Sequence, residues 1–151
     1  MINKVGKTLK QFKFSLEKVL KYKFILEDQR KIEFATAQKE YAKEKALLDK
    51  LNNEFRQKQK EFYSGRLEAA ILFQRSTSLQ FLRDQITKQN KNCEKASIKV
   101  NKCWENMVEA KQDREILEKL KQRRKAEYEK FANFKEQKQI DEIATSAYAR
   151  N

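Results

Sequence analysis

Counting in sevens from Leu20, the chain passes through Glu27, Phe34, Tyr41, Leu48, Phe55 and Phe62, and a companion row carries Leu16, Ala37 and Leu51. Rows alternating by three and four residues merge into one stripe on an α-helix, and a stripe this narrow is the seam of a coiled coil. The companion row also holds Lys23, Arg30, Glu44 and Lys58, which predicts a seam that is loosely packed in places and modest in stability. A second register starts at Leu79 and runs through Ile86, Cys93, Val100 and Met107, beside Leu82, Gln89, Ala96, Cys103, Ala110 and Leu117. Its small residues, Cys93, Ala96, Cys103 and Ala110, complement the Phe and Tyr of the first seam if the two helices pair antiparallel.

Between the registers, Ser64-Gly65 reads as a helix stop with glycine in the left-handed cap, and Ser76-Thr77-Ser78 offers hydroxyls for a fresh N-cap. The intervening Ala69-Ala70-Ile71-Leu72-Phe73 is too apolar for a free loop and predicts a short helical cap, which is also a candidate docking patch. The expected fold class is all-α: a long two-helix antiparallel coiled-coil hairpin with a short helical tip. Helix 1 is expected over about 8–63, the tip over 64–78 and helix 2 over about 79–147, all within a single domain of residues 1–151. Arms of about 60 to 70 residues rising about 1.5 Å each would make a rod of about 90 to 105 Å with both termini at one end. The acid-first pairs Glu17/Lys21, Glu27/Lys31, Glu54/Lys58 and Glu115/Lys119 each add roughly a few tenths of a kcal/mol to a helix.

Composition sharpens this picture. With no proline, and glycine only at Gly6 and Gly65, nothing breaks a helix over long distances. The 38% of charged residues and a mean hydropathy of −0.96 argue against a compact globule. Ten Phe, five Tyr and one Trp supply the apolar area that disordered chains lack. No stretch approaches the ~18 consecutive apolar residues of a membrane span, and the N-terminus lacks the apolar core of a signal peptide. A cytoplasmic location is expected.

Reactive chemistry is not in view, and no enzyme activity, cofactor or metal site is expected. Histidine is absent, and two isolated glycines cannot build a phosphate-cradling loop. Adjacent carboxylates such as Asp141-Glu142 point apart on a helix and lack a pocket to tune them. Cys93 and Cys103 would lie about 15 Å apart on one helix, beyond disulfide reach, and with no further ligands nearby they read as reduced core residues.

The net charge of +13 is concentrated in two zones: seven lysines against one glutamate in positions 1 to 23, and the cluster Lys121-Gln-Arg-Arg-Lys125. Such a surface attracts nucleic acid, an anionic membrane or an acidic protein cavity, and equally serves as a solvated face. A nucleic-acid role usually brings a reading module or stacking aromatics, and here the aromatics fall mainly on the seam or tip, which counts against nucleic acid.

The C-terminal run Glu109-Ala110-Lys-Gln-Asp-Arg-Glu-Ile-Leu117-Glu-Lys-Leu120-Lys-Gln-Arg-Arg, then Tyr128, then Glu136-Gln-Lys138-Gln-Ile-Asp141-Glu142-Ile-Ala144, closely resembles the flagellar export protein FliJ family. The opening Phe12-Lys-Phe14-Ser-Leu16-Glu-Lys-Val19-Leu20 is similar to that family's start, so the resemblance spans almost the whole chain. The Glu-x-Lys-x-x-Asp-Glu-x-Ala ending is its most specific part, because no heptad requires it. The resemblance implies a hairpin similar to the rotary stalk of F-type ATPases. That stalk would be seated in the ring of the flagellar type III export ATPase and would link the ring to the membrane export gate.

It further implies as partners the export ATPase and its regulator, the gate protein and export chaperones. Nucleic acid is not among them, and the chain would lie at the inner face of the membrane at the flagellar base, held there through its partners. By the same resemblance Arg124, Glu136, Lys138, Asp141 and Glu142 face the ATPase, or simply solvate the helix end. Leu48, Phe55 (Phe where the family pattern has Tyr) and Leu82 match the gate-contact pattern, and their seam positions equally suit core packing. The equivalent stalk of a virulence secretion system, a basic nucleic-acid-binding coiled coil and a membrane-surface amphipathic protein are the rival readings.

Overall fold

The computed structural model describes residues 11–64 and 68–149. Those residues form two long helices, α1 (Glu17–Tyr63) and α2 (Ala69–Tyr148), packed against each other as an all-α helical hairpin. The chain divides into two compact units, Met1–Ile25 with Lys111–Asn151, and Leu26–Ala110. Within each unit the cross-helix bonds show antiparallel pairing, since partners on α2 fall in number as those on α1 rise. In the first unit these are Lys121 to Glu17 and Lys23 to Asp113. In the second they are Lys99 to Glu40, Gln89 to Glu44 and Lys58 to Ser78.

Both heptad registers are the observed seams. Every residue of the first row from Leu20 to Phe62 and of its companion row from Leu16 to Lys58 is buried or half-buried, as is every residue of the two α2 rows from Leu79 to Leu117. Of the small residues expected to admit aromatic neighbours, Ala110 is buried and Cys93, Ala96 and Cys103 are half-buried. The polar seam residues are satisfied in place. The Gln89 amide donates to the Glu44 backbone carbonyl at 2.9 Å, Lys58 donates to Ser78 at 3.0 Å, and Glu27 pairs with Lys31 at 2.9 Å. No buried side-chain nitrogen or oxygen among the described residues lacks a partner, as the cost of stranding such a group in a dry interface demands.

Of the acid-first pairs, Glu27/Lys31 and Glu54/Lys58 form, at 2.9 and 3.6 Å. Glu17 instead reaches across to Lys121 at 2.7 Å, and Glu115 pairs with Lys111 at 3.9 Å and Arg114 at 3.8 Å.

Two boundaries differ from expectation. Helix 1 begins at Glu17 rather than near residue 8; residues 8–10 lie outside the described residues. Before it, Phe12, Phe14 and Leu16 are buried or half-buried while Lys13 and Ser15 are exposed, and Ser15 and Leu16 form a turn into the helix, with the Glu17 N–H donating to the Phe14 carbonyl at 3.2 Å. Helix 2 begins at Ala69, about ten residues before the expected 79, so the expected separate tip is its first turns. The hydroxyls at 76–78 do not cap a helix. Thr77 bonds back to the Phe73 carbonyl at 3.0 Å and Ser78 accepts from Lys58, the alternative use of such side chains inside a helix. The reversal is secured at the Glu61 carbonyl, which accepts from the Ser64 hydroxyl at 3.0 Å and the Arg75 guanidinium at 2.6 Å, a basic partner for an orphan helix-end carbonyl. The expected glycine cap at Gly65 lies outside the described residues.

Candidate interaction surfaces

The first unit places the terminal motif on a stretch of α2 that has no packing partner among the described residues. Ala132 is the last buried residue; every described residue from Asn133 to Ala149 is exposed. The preceding turns are held by the segment that leads into α1. The Phe12 ring meets Tyr128 with centroids 5.7 Å apart, and the Arg124 guanidinium lies 5.8 Å over Phe14 while donating to Ser15 at 3.0 Å. Arg124 therefore sits at the foot of the unpaired stretch, about 18 Å along the helix from Glu136.

On that stretch, Lys138, Asp141 and Glu142 share one side at helical spacing, while Glu136 projects from the other. Asp141 accepts from Gln137 at 3.0 Å, whereas Glu136, Lys138 and Glu142 make no side-chain bond with described residues. Sequence reasoning missed the apolar component. Extending the two α2 seam rows beyond Leu117 leads to Lys135 and Glu142, and to Lys138 and Thr145. Ile140, Ile143, Ala144 and Ala147 fall off those rows, together on one face, and Ile140 and Ile143 are exposed. Ile143 lies eleven residues on from Ala132, on the same side of the helix, so this line runs beside the side of α2 that is buried at Ala132. Projecting the rows past the last buried residue would have exposed it.

In the second unit, Leu48 and Phe55 lie one heptad apart on α1 and are half-buried, whereas Leu82 is buried. Arg83, the next residue on α2, places its guanidinium 5.7 Å over the Phe55 ring. Phe55 and the 82–83 turn are thus neighbours, with Leu82 facing inward. Nearby, Phe73 and Phe81 are exposed on the outer face of α2 and line a shallow apolar cleft with Thr77 and Ser78.

Electrostatic perturbation follows the ion pairs. The bond to Glu33 raises the Arg30 guanidinium above its ordinary value, Glu27 does the same for Lys31, and Glu40 for Lys99. Cys93 and Cys103 are free, half-buried thiols. Among the described residues no cluster of His, Cys, Asp or Glu is suited to a metal, and no helix is long and apolar enough to cross a membrane.

No curated protein and no solved structure matches the chain. The family model described as flagellar FliJ protein matches residues 12–151, nearly the whole length. The terminal motif, the paired segment beneath it and the two seams all fall within that match, and the chain belongs to the flagellar FliJ family, related to flagellar protein export.

Proposed function

We propose that the protein is a non-catalytic stalk and escort of the flagellar type III export apparatus, binding the export ATPase ring through the unpaired end of α2. One observation carries this reading: the last described turns of α2 present an apolar line, Ile140, Ile143, Ala144 and Ala147, that belongs to neither seam row. Exposed apolar residues at helical spacing, beside the charged Lys138, Asp141 and Glu142, suit a helix inserted between the walls of a partner. The net charge of +13 would steer such an element toward an acidic opening.

The other end of the work is contact with the membrane export gate, through the α1 face bearing Leu48 and Phe55. Leu82 supports that face from within, consistent with its burial. Association with the ATPase regulator and with export chaperones, and a cytoplasmic site at the inner membrane face of the flagellar base, complete the role. Family membership favours the flagellar over the virulence apparatus.

Binding to the export ATPase of the same source tests the reading, with Ile140→Asp/Ile143→Asp as the variant. Both residues are exposed, so the fold survives, and affinity drops at least about tenfold. Unchanged affinity in the folded variant rejects the assigned surface.

A further inference from the structure

Within the second unit, Lys88, Lys91, Lys95, Lys99 and Lys102 follow one another along α2 at spacings of three and four residues. At about 100° per residue they fall within an arc of about 80° and span about 21 Å of helix. All five are exposed. Asp84 and Glu109 share this arc only beyond its two ends, and Glu94 and Glu105 lie outside it. Lys99 is engaged by Glu40 at 2.6 Å. Lys88, Lys91, Lys95 and Lys102 have no ion pair or hydrogen bond with described residues. Like charges three and four apart repel, so the strip is maintained against a local cost while the α2 seam holds the helix in place.

We propose that this lysine strip docks an acidic helix of another protein. Lys88, Lys95 and Lys102 form a row with period seven, flanked by Lys91 and the exposed Ile98, the alternation by which straight helices meet side by side with opposite charges opposed. The strip contains no arginine fork and no aromatic face, the groups that grip and stack nucleic acid. Ile98 alone gives too little apolar area for anchoring in a bilayer. A second copy of a chain carrying +13 brings the wrong sign. This surface is independent of the α2 end and stands or falls separately from the ATPase contact.

The test is fluorescence anisotropy of the full chain at physiological salt with four probes. They are a helical peptide bearing one face of glutamates at heptad spacing, the same peptide scrambled, single-stranded DNA, and phosphatidylserine vesicles. The ordered acidic helix binds at least about tenfold tighter than its scrambled form. The variant Lys88→Glu/Lys95→Glu/Lys102→Glu loses that binding by at least about tenfold, whereas Lys18→Glu/Lys119→Glu/Lys130→Glu, with the same change in net charge, loses under about threefold. Equal losses in both variants, equal binding of the scrambled peptide, or tighter binding of DNA or vesicles overturns the proposal. If the glutamate variant unfolds by circular dichroism, the corresponding glutamines carry the same comparison.

Discussion

Lys23 of α1 donates to Asp113 of α2 at 2.6 Å, so a lysine standing in a seam row is neutralised from across the interface rather than expelled from it. With side chains 26% and 42% exposed, the pair is only partly shielded from water. Its coupling should therefore be small, about 0.5–1 kcal/mol. A double-mutant cycle with Lys23→Ala and Asp113→Ala, followed by urea unfolding, measures it. Coupling that fades at high salt is expected.

Ala37 is 1% exposed in the middle of α1, at a point where the seam admits only a methyl group. Ala37→Leu should destabilise the protein by about 1–3 kcal/mol through overpacking, while Ala42→Leu, on the exposed side of the same helix, should change stability by less than about 0.5 kcal/mol. Thermal unfolding of the two variants side by side checks this.

Lys31 and Lys99 are both raised above the ordinary lysine value of 10.5 by their bonds to Glu27 and Glu40. A base whose pKa is higher folded than unfolded contributes stability that is complete below the unfolded value and lost as pH rises through the folded one. Stability should therefore decline at pH above 10.5. Glu40→Gln should make that decline shallower, read as the difference in denaturation midpoint on either side of this pH. An identical slope in the variant removes Lys99 from the explanation.

Much of the fold was legible because a heptad seam is a one-dimensional code. The rows from Leu20 to Phe62 and from Leu79 to Leu117 mark the buried sides of both helices, and even Glu27, Glu44 and Gln89 sit where the count put them, each with a bond that compensates its burial. The start of α2 was not legible in the same way. A serine or threonine oxygen can cap a new helix or bond four residues back within an existing one, and at Thr77 the second use prevails. The start of α1 was obscured because Phe12 and Leu16, four apart, suit a helix while Phe12, Phe14 and Leu16 together suit alternation, and so short a span does not decide between them.

The family motif directed attention to Glu136, Lys138, Asp141 and Glu142, and the structure puts all four on an exposed stretch of helix. The apolar line beside them was hidden by charge in the sequence. It emerges only once the seam rows are known to end and Ile140 and Ile143 are seen to belong to neither.

The most direct measurement is ATP hydrolysis by the flagellar export ATPase of the same source, titrated with the whole chain and with a chain ending at Phe134. The truncation removes only exposed positions of the described helix, so the shortened protein should keep its unfolding midpoint. Faster turnover with the whole chain, and none with the folded truncation, is the predicted result. Equal acceleration by both chains, or neither binding nor acceleration by the whole chain, would contradict a stalk that works through the end of α2.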